Sequence, residues 1–263
     1  MIQKIANFIF LNGKITHRAR ARITPWDTGL LYADGVYEVW RAAHGRAHLF
    51  AENFAALRQS LRARKIPFQL SSAELEKLLT RLLRKNKLRA ARIRLTASRE
   101  NILIELSPLA RFAQRITAFT LPLERHSPVV KSVDWLATVF NLRPGKWWEK
   151  SEALLLNRRN EITEGAQSNF FLVKNSQIVT PPATTVHPGA VRRWVLRSAK
   201  KLKIPVRERA IKSREIFTAD EIFVTDSLSG IRSVMSVDGR KIKSGPLTKI
   251  LQTEFAKSLS EFE

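Results

Sequence analysis

The chain has 263 residues and no cysteine, which excludes disulfides, thiolate nucleophiles and cysteine-type zinc sites. Its 46 lysine and arginine residues outnumber 23 acidic residues and give a formal net charge of +23. No apolar run reaches the length of about 18 residues that a spanning helix needs, and no secretory pattern is present, so we expect a cytoplasmic protein. The composition is that of a globular chain of one or two domains.

The basic residues are spread along the chain, with groups at 18–22, 58–64, 81–94 and 192–214. Many of them recur at helical spacing beside apolar residues, which is typical of a solvated helix face. No RNA-binding aromatic signature and no zinc-finger spacing accompanies them. We therefore expect no specific nucleic-acid partner, and only weak, non-specific affinity for polyanions.

The first part of the chain predicts mainly strands. Asn12-Gly13 between two apolar runs is typical of a β-hairpin. Helices are expected from Glu52 and from Ser71 or Ser72, where a serine can cap the first turn. Strands are expected at 5–11, 36–42, 47–50, 92–97, 102–106 and 116–121.

Residues 122–128 are polar, contain two prolines and predict a linker. Beyond it, Asp238-Gly239 is interpreted as the turn between the last two strands. The expected strands are 153–156, 169–173, 178–179, 221–225 and 234–237, and the expected helices are 189–202 and 247–259. Strands and helices do not alternate strictly, so we predict an α+β fold with a small N-terminal domain (1–121) and a larger C-terminal domain (129–263).

Several common sites are missing from the sequence. No Gly-x-Gly pair, phosphate-loop motif, His-Glu-x-x-His or Gly-x-Ser-x-Gly occurs, and the five histidines are scattered. We therefore expect no dinucleotide fingerprint, no serine-hydrolase elbow and no metal site.

A series of segments in order along the chain resembles the class IV (fold type IV) pyridoxal-phosphate enzymes, and the block 152–182 is the most specific part. The family includes D-amino acid and branched-chain aminotransferases and aminodeoxychorismate lyase. The resemblance implies a two-domain architecture with the active site between the domains, the cofactor pyridoxal 5′-phosphate and a homodimer. The matching segments are 27–38, 131–136, 152–156, 162–165, 168–171, 180–182, 189–192 and 220–227.

Three residues take chemical roles through this resemblance. Lys131 forms the Schiff base with the cofactor and, once released, shuttles the α-proton as general base. Glu164 keeps the pyridine nitrogen protonated, and Tyr37 faces the substrate. Without the resemblance, Lys131 could equally be a surface lysine, Glu164 a capping or turn carboxylate, and Tyr37 a half-buried aromatic residue of a strand.

The cofactor phosphate has an expected seat where Gly189 opens a helix, because free amides and the helix dipole suit an anion. The resemblance assigns the contacts to the backbone amides of Ala190 and Val191 and to the hydroxyl of Ser227. The alternative is that Gly189 simply starts a helix.

The sequence departs from the family pattern at three places. Asn53 and Ala56 stand where the family carries His-x-x-Arg, so a guanidinium contact to the phosphate is lost unless Arg58 or Arg192 replaces it. The tight link after Ala97 replaces a substrate loop. Trp135 stands where branched-chain enzymes have a tyrosine.

The leading functional prediction is an aminotransferase that moves an amino group between an amino acid, of the D or branched-chain type, and a 2-oxo acid. Aminodeoxychorismate lyase is the alternative, because residues 227–231 resemble that branch. A noncatalytic, polyanion-binding protein that retains the fold is a third reading, motivated by the missing arginine and the net charge of +23.

Overall fold

The chain divides into two compact units in the computed structural model, which describes residues 5–125, 127–134 and 150–260. The first unit takes in Met1–Ala110, Val130–Asn141 and Leu259–Glu263. The second comprises Arg111–Val129 and Leu142–Ser258. The expected boundaries at 121 and 129 differ from this division, because the segment 115–122 pairs with strands of the second unit and Lys131 pairs with a strand of the first.

The described strands of the first unit form an antiparallel sheet in the order β2-β1-β6-β5-β3-β4. The predicted hairpin is confirmed, and Asn12 and Gly13 both have positive φ angles of 47° and 88°, as a type I′ turn requires. The strands are β1 (Phe8–Leu11), β2 (Lys14–His17), β3 (Val36–Ala43), β4 (Arg46–Ala47), β5 (Ala91–Ala97) and β6 (Ile102–Pro108).

Three α-helices accompany the described part of this sheet: α1 (Thr28–Tyr32), α2 (Phe50–Ala63) and α3 (Ser72–Lys85). The predicted cap of α3 is confirmed, because Ser71 and Glu74 form a reciprocal capping box. The expected strand over 47–50 is present but shorter, because β4 covers only Arg46–Ala47. Leu49 turns the chain with a φ of 49°, and Phe50 already begins α2.

The second unit contains a larger, mixed sheet in the order β12-β11-β10-β14-β15-β7-β8-β9-β13, with β16 paired to β15. Helix α4 (Ala190–Lys201) follows β11, and α5 (Pro246–Ser260) follows β16. The strands are β7 (Arg115–Pro122), β8 (Ser151–Leu156), β9 (Glu161–Gly165), β10 (Asn169–Lys174), β11 (Gln177–Thr180), β12 (Val206–Glu208), β13 (Ile211–Lys212), β14 (Glu221–Asp226), β15 (Gly230–Val237) and β16 (Arg240–Lys241).

The turn between β14 and β15 is not the one that the sequence suggested. Asp238-Gly239 joins β15 to β16, whereas residues 227–229 join β14 to β15. Asp226 holds this turn, because its Oδ1 accepts hydrogen bonds from the backbone amides of Leu228 (2.8 Å) and Ser229 (2.9 Å). Ser227, the expected phosphate contact, lies in this turn.

Apolar residues from many strands of the second sheet pack into one core, which includes Leu154, Phe170 and Val224. Because these residues are buried, the sheet gives a fixed base for the loops at its strand ends. The helices in the described part of the chain are all too short or too polar to span a bilayer.

Candidate active site

Lys131 lies along the free edge of β3 in the first unit. Its carbonyl accepts a hydrogen bond from the Tyr37 amide (2.9 Å), and its own amide donates to Ser60 Oγ on α2 (3.2 Å). The next contact on this edge is from the Val133 amide to the Gly35 carbonyl (3.0 Å). These bonds extend the sheet by a short segment and bring Lys131 beside Tyr37.

The side chain of Lys131 forms an ion pair with Glu38. The distance from Lys131 Nζ to Glu38 Oε1 is 2.9 Å, and Nζ lies 5.4 Å from the centre of the Tyr37 ring. The Lys131 side chain is 21% exposed and that of Glu38 only 1%. Glu38 was not predicted as a site residue from the sequence, although an acidic residue inside an apolar strand is a signal that could have identified it.

An arginine-rich face surrounds Tyr37. Arg94 Cζ lies 4.2 Å from the centre of the Tyr37 ring, and Arg41 stands directly opposite Arg92 in the β3–β5 register. Arg92 Nη1 is 3.6 Å from Glu105 Oε1. Burial lowers the pKa of Arg92, the charge of Arg94 lowers it further, and Glu105 opposes both effects.

Like charges directly opposite each other on a sheet destabilise it. The pair of Arg41 and Arg92, with Arg94 on the same face, therefore favours an anion as a further partner of this surface. Arg92 and Arg94 are two positions apart on one strand and therefore lie on the same face. This spacing in the sequence could have indicated the arginine-rich face.

Glu164 lies in β9 of the second unit and is buried. Its Oε2 accepts a hydrogen bond from the His187 amide (3.1 Å), and its Oε1 is 3.3 Å from Arg125 Nε. Arg125 also donates to the Ala166 carbonyl. The segment expected to be only a linker thus supplies a guanidinium that forms an ion pair with the Glu164 carboxylate.

Gly189 is the N-cap residue of α4 and packs closely against Asn169. A Cβ atom at Gly189 would lie only 2.2 Å from Asn169 Oδ1, so a larger residue cannot fit without a shift. Asn169 Nδ2 donates to the His187 carbonyl (2.7 Å). Glu164 and Asn169 together therefore hold both backbone groups of His187 and fix the approach to α4.

The residues around the start of α4 fit a phosphate group. Gly189 offers no side-chain acceptor to the first turn of α4, and that turn contains no acidic residue. The amides of Ala190 and Val191 and the helix dipole therefore favour an anion there. Thr225 faces Asn169 in the β10–β14 register, and its buried hydroxyl has no hydrogen-bond partner among the described residues.

A buried charge network lies beneath the Ser227 turn. Glu152 Oε2 is 2.7 Å from Ser168 Oγ and 3.5 Å from Arg232 Nη2, and Arg232 is also 3.7 Å from Asp226 Oδ2. Burial raises the pKa of Glu152, and the charge of Arg232 acts in the opposite direction. The network connects β8 and β15 to the residue that holds the turn.

The helix α2 offers no guanidinium at the family position. Asn53 and Ala56 are both buried, and Asn53 Nδ2 donates to the Leu49 carbonyl (3.2 Å). Arg192 donates to the Pro181 carbonyl (2.9 Å) and to Glu208 (2.6 Å), and Arg58 contacts the Phe68 carbonyl at 3.5 Å. These contacts give both arginines structural roles and do not support the hypothesis that either replaces the missing one.

The predicted site residues fall into two sets. Lys131 and Tyr37 lie together in the first unit. The other set belongs to the second unit and consists of Glu164, Gly189, Ala190, Val191 and Ser227. Trp135 lies outside the described residues, and the individual roles of all these residues stay predictions.

Residues 35–237 match the family described as amino-transferase class IV. The chain belongs to the class IV aminotransferase family. It is an enzyme of the transaminase type, and its cofactor is pyridoxal 5′-phosphate. The family assignment supports an enzyme over the noncatalytic reading.

Two curated relatives match over nearly their whole length. A putative branched-chain-amino-acid aminotransferase of Methanocaldococcus jannaschii is 32% identical over 94% of each chain. A D-alanine aminotransferase of Bacillus licheniformis is 28% identical over 95% of this chain and 96% of the relative. The class IV chain is therefore similar to enzymes with two different substrate types.

A solved structure confirms the predicted fold class. The branched-chain amino acid aminotransferase of Escherichia coli superposes with a TM-score of 0.86 at 25% identity, over 96% of this chain and 94% of that one. The class IV chain therefore has the α+β architecture of fold type IV.

Proposed function

We propose that this chain transfers an amino group from a D-amino acid or a branched-chain amino acid to a 2-oxo acid. The observation that carries the proposal is the placement of Lys131, whose amine is held at the edge of β3 beside Tyr37 and the arginine-rich face. The relatives with branched-chain and D-alanine names support these two substrate classes.

Bound pyridoxal phosphate supplies an electron sink for the electrons left behind when a proton leaves the substrate α-carbon. Lys131 is the catalytic residue, and its amine moves that proton. Glu164 holds the proton on the ring nitrogen, with Arg125 and the His187 amide fixing its carboxylate. The Ala190 and Val191 amides, with the Ser227 hydroxyl, hold the phosphate at the start of α4.

The arginine-rich face favours recognition of the substrate through an acidic group. Every amino acid and 2-oxo acid carries a carboxylate, and a guanidinium can bind one with two parallel hydrogen bonds. Arg94, stacked on Tyr37, is the side chain that we assign to this contact. Tyr37 then packs against the rest of the substrate.

The first experiment separates the stereochemical classes. Purified protein with pyridoxal phosphate is given the D or the L form of alanine, leucine or valine together with 2-oxoglutarate, and glutamate formation is measured. We expect glutamate from one stereochemical series only. Absence of amine transfer from every donor in both series contradicts the proposed transferase activity.

Aminodeoxychorismate lyase is the second candidate, because the β14–β15 turn and the residues after it (227–231) resemble that branch. The lyase eliminates pyruvate from its substrate and needs no amine acceptor. Pyruvate released from aminodeoxychorismate without a 2-oxo acid therefore supports the lyase, whereas a strict requirement for the 2-oxo acid supports the aminotransferase.

We also propose a cytoplasmic homodimer. Five large apolar residues near α1 are exposed by between 48% and 76%, and residues 23–40 contain no lysine or arginine in a chain of +23. A cluster of this kind marks an association surface. The five residues, which we call the α1 patch, are Ile23, Trp26, Leu30, Leu31 and Tyr32.

A further inference from the structure

Glu38 is a buried carboxylate whose cationic partner is the proposed catalytic lysine. Its Oε1 accepts hydrogen bonds from Lys131 Nζ and from the Val39 amide, both at 2.9 Å. Its Oε2 is buried and has no hydrogen-bond partner in the part of the chain that the structure describes. Within the described part of the chain, Lys131 is therefore the cation that balances the charge of this carboxylate.

A charge left alone in this position is costly. An ionised carboxylate in a low-dielectric interior is strongly disfavoured unless it is paired, whereas a neutral acid is much less so. If Lys131 left the pair as an ammonium ion, it would leave a buried, uncompensated anion. The pair can separate at low cost only when the proton stays behind on Glu38.

The neutral amine is also the form that the proposed function needs. A lysine adds to an aldehyde through the electron pair on Nζ, and an ammonium ion has no such pair. Two hydrogen bonds of the Lys131 main chain, with the Tyr37 amide and with Ser60 Oγ, hold Lys131 next to Glu38. They fix the geometry in which a proton can pass between the two side chains. Lys131 Nζ is thus placed to donate a proton, and Glu38 Oε1 is placed to accept it.

We propose that Glu38 is the positioning residue for Lys131, holding Nζ as an ammonium ion while the lysine is unattached and accepting its proton when the amine is released to react. In this step one N–H bond of Nζ breaks, an O–H bond forms at Glu38 Oε1, the electron pair stays on nitrogen, and the two formal charges cancel. The inference rests on the proposed function, in which the amine of Lys131 reacts.

The experiment measures the reactivity of Lys131 alone. The full chain, freed of cofactor, is treated with a trace of acetic anhydride, which reacts only with unprotonated amines, and then with excess labelled anhydride after denaturation. Mass spectrometry of the peptide that contains Lys131 gives its native reactivity relative to its unfolded reactivity. The other lysines in the same digest serve as internal references.

Glu38→Gln keeps the shape of the side chain and removes its charge. We expect the native reactivity of Lys131 at neutral pH to rise at least about tenfold in this variant, while the reference lysines do not change. Glu38→Asp retains the charge and should stay near the wild type. Glu105→Gln is the matched control, because it removes a carboxylate from the same sheet away from Lys131.

Equal reactivity of Lys131 in the wild type and in Glu38→Gln would overturn the inference. A rise in the reactivity of all lysines together would also overturn it, because that result indicates only a loosened fold. The assay contains neither cofactor nor substrate, so its outcome is independent of the amine-transfer assay that tests the proposed function.

Discussion

Arg232 and Glu152 place opposite charges inside the second unit, 3.5 Å apart and almost fully buried. Removing one partner of such a pair leaves an uncompensated charge, which costs much more than the intact pair contributes. We expect Arg232→Met to lower the free energy of unfolding by about 3 to 5 kcal/mol. Urea-induced unfolding, monitored by fluorescence, measures this free energy.

The control for this residue is Lys257→Met, which removes an exposed ion pair with Glu254. Exposed pairs contribute about 0 to 1 kcal/mol, so the control should unfold near the wild-type midpoint. An Arg232→Met protein as stable as this control would show that the network beneath the Ser227 turn does not stabilise the fold.

The hydrogen bonds of the Glu161 carboxylate are expected to stabilise the folded chain, and acid should remove this stabilisation. Hydrogen bonds from Asn157 and Lys212, followed by Arg159, lower the pKa of Glu161 from its ordinary value of 4.5 to about 2. The unfolded chain therefore takes up this proton first as the pH falls. The stabilisation is fully present above pH 4.5 and is lost as the pH falls toward 2.

Glu161→Gln tests that contribution. We expect the melting temperature of the wild type to exceed that of the variant at neutral pH, and the difference to shrink between about pH 5 and about pH 3. Calorimetry at several pH values measures both proteins. A difference that stays constant across this range would contradict the assignment.

At the scale of elements, the start of α4 depends on the contact of Gly189 with Asn169. A Cβ at Gly189 would lie 2.2 Å from Asn169 Oδ1 and would push that side chain off the His187 carbonyl. We expect Gly189→Ala to weaken the binding of pyridoxal phosphate by about tenfold, because a displaced start of α4 loses one proposed hydrogen bond from the Ala190 or Val191 amide to the phosphate. A hydrogen bond to a charged group contributes about 1.5 kcal/mol or more. Equilibrium dialysis gives the affinity.

The double variant Asn169→Ala, Gly189→Ala isolates the steric cause. With the Asn169 side chain shortened, the added methyl group has space, so the effects of the two single substitutions should not add. Strictly additive losses of affinity would show that the close contact is not the reason for a glycine at this position.

Elements with strong local signals could be predicted from the sequence. The Asn12-Gly13 turn and the Ser71 cap depend on residues within a few positions, and both are confirmed. The end of the strand predicted over 47–50 was wrong, because hydrophobic patterning does not show that Leu49 adopts a left-handed conformation. The Asp238-Gly239 turn was real, but its partner strand is the two-residue β16, which is too short to carry a pattern.

The candidate site was predictable only as far as motifs extend. The resemblance named Lys131 and Glu164, but it did not name Glu38 or Arg125, the charged partners of these two residues. Lys131 and Glu38 lie 93 positions apart, and such a pairing depends on how β3 is extended by a distant segment. No local spacing encodes that contact.

At the scale of the whole molecule, charge and apolar exposure act in opposite directions. A net charge of +23 repels a second copy, whereas the α1 patch has no basic residue between positions 23 and 40. When two copies associate through this patch, the least positive part of the first unit of each copy meets that of the other, and apolar surface is buried. The homodimer is therefore the expected state.

Trp26→Glu is the test of that state, because Trp26 is 76% exposed and a charge there opposes burial. Light scattering after size exclusion should give twice the chain mass for the wild type and a single-chain mass for the variant. Phe217→Glu, at an apolar residue exposed by 41% in the second unit, is the control and should stay dimeric. A monomeric wild type would contradict the proposal.

Borohydride reduction of the protein loaded with pyridoxal phosphate, followed by peptide mapping, tests directly whether Lys131 is the catalytic amine. We predict visible absorbance before reduction and one phosphopyridoxyl label, on Lys131. Lys131→Ala should lose both, and the control Lys257→Ala should lose neither. A label on another lysine, or none on a loaded wild-type protein, would contradict the assignment of Lys131 as the catalytic amine.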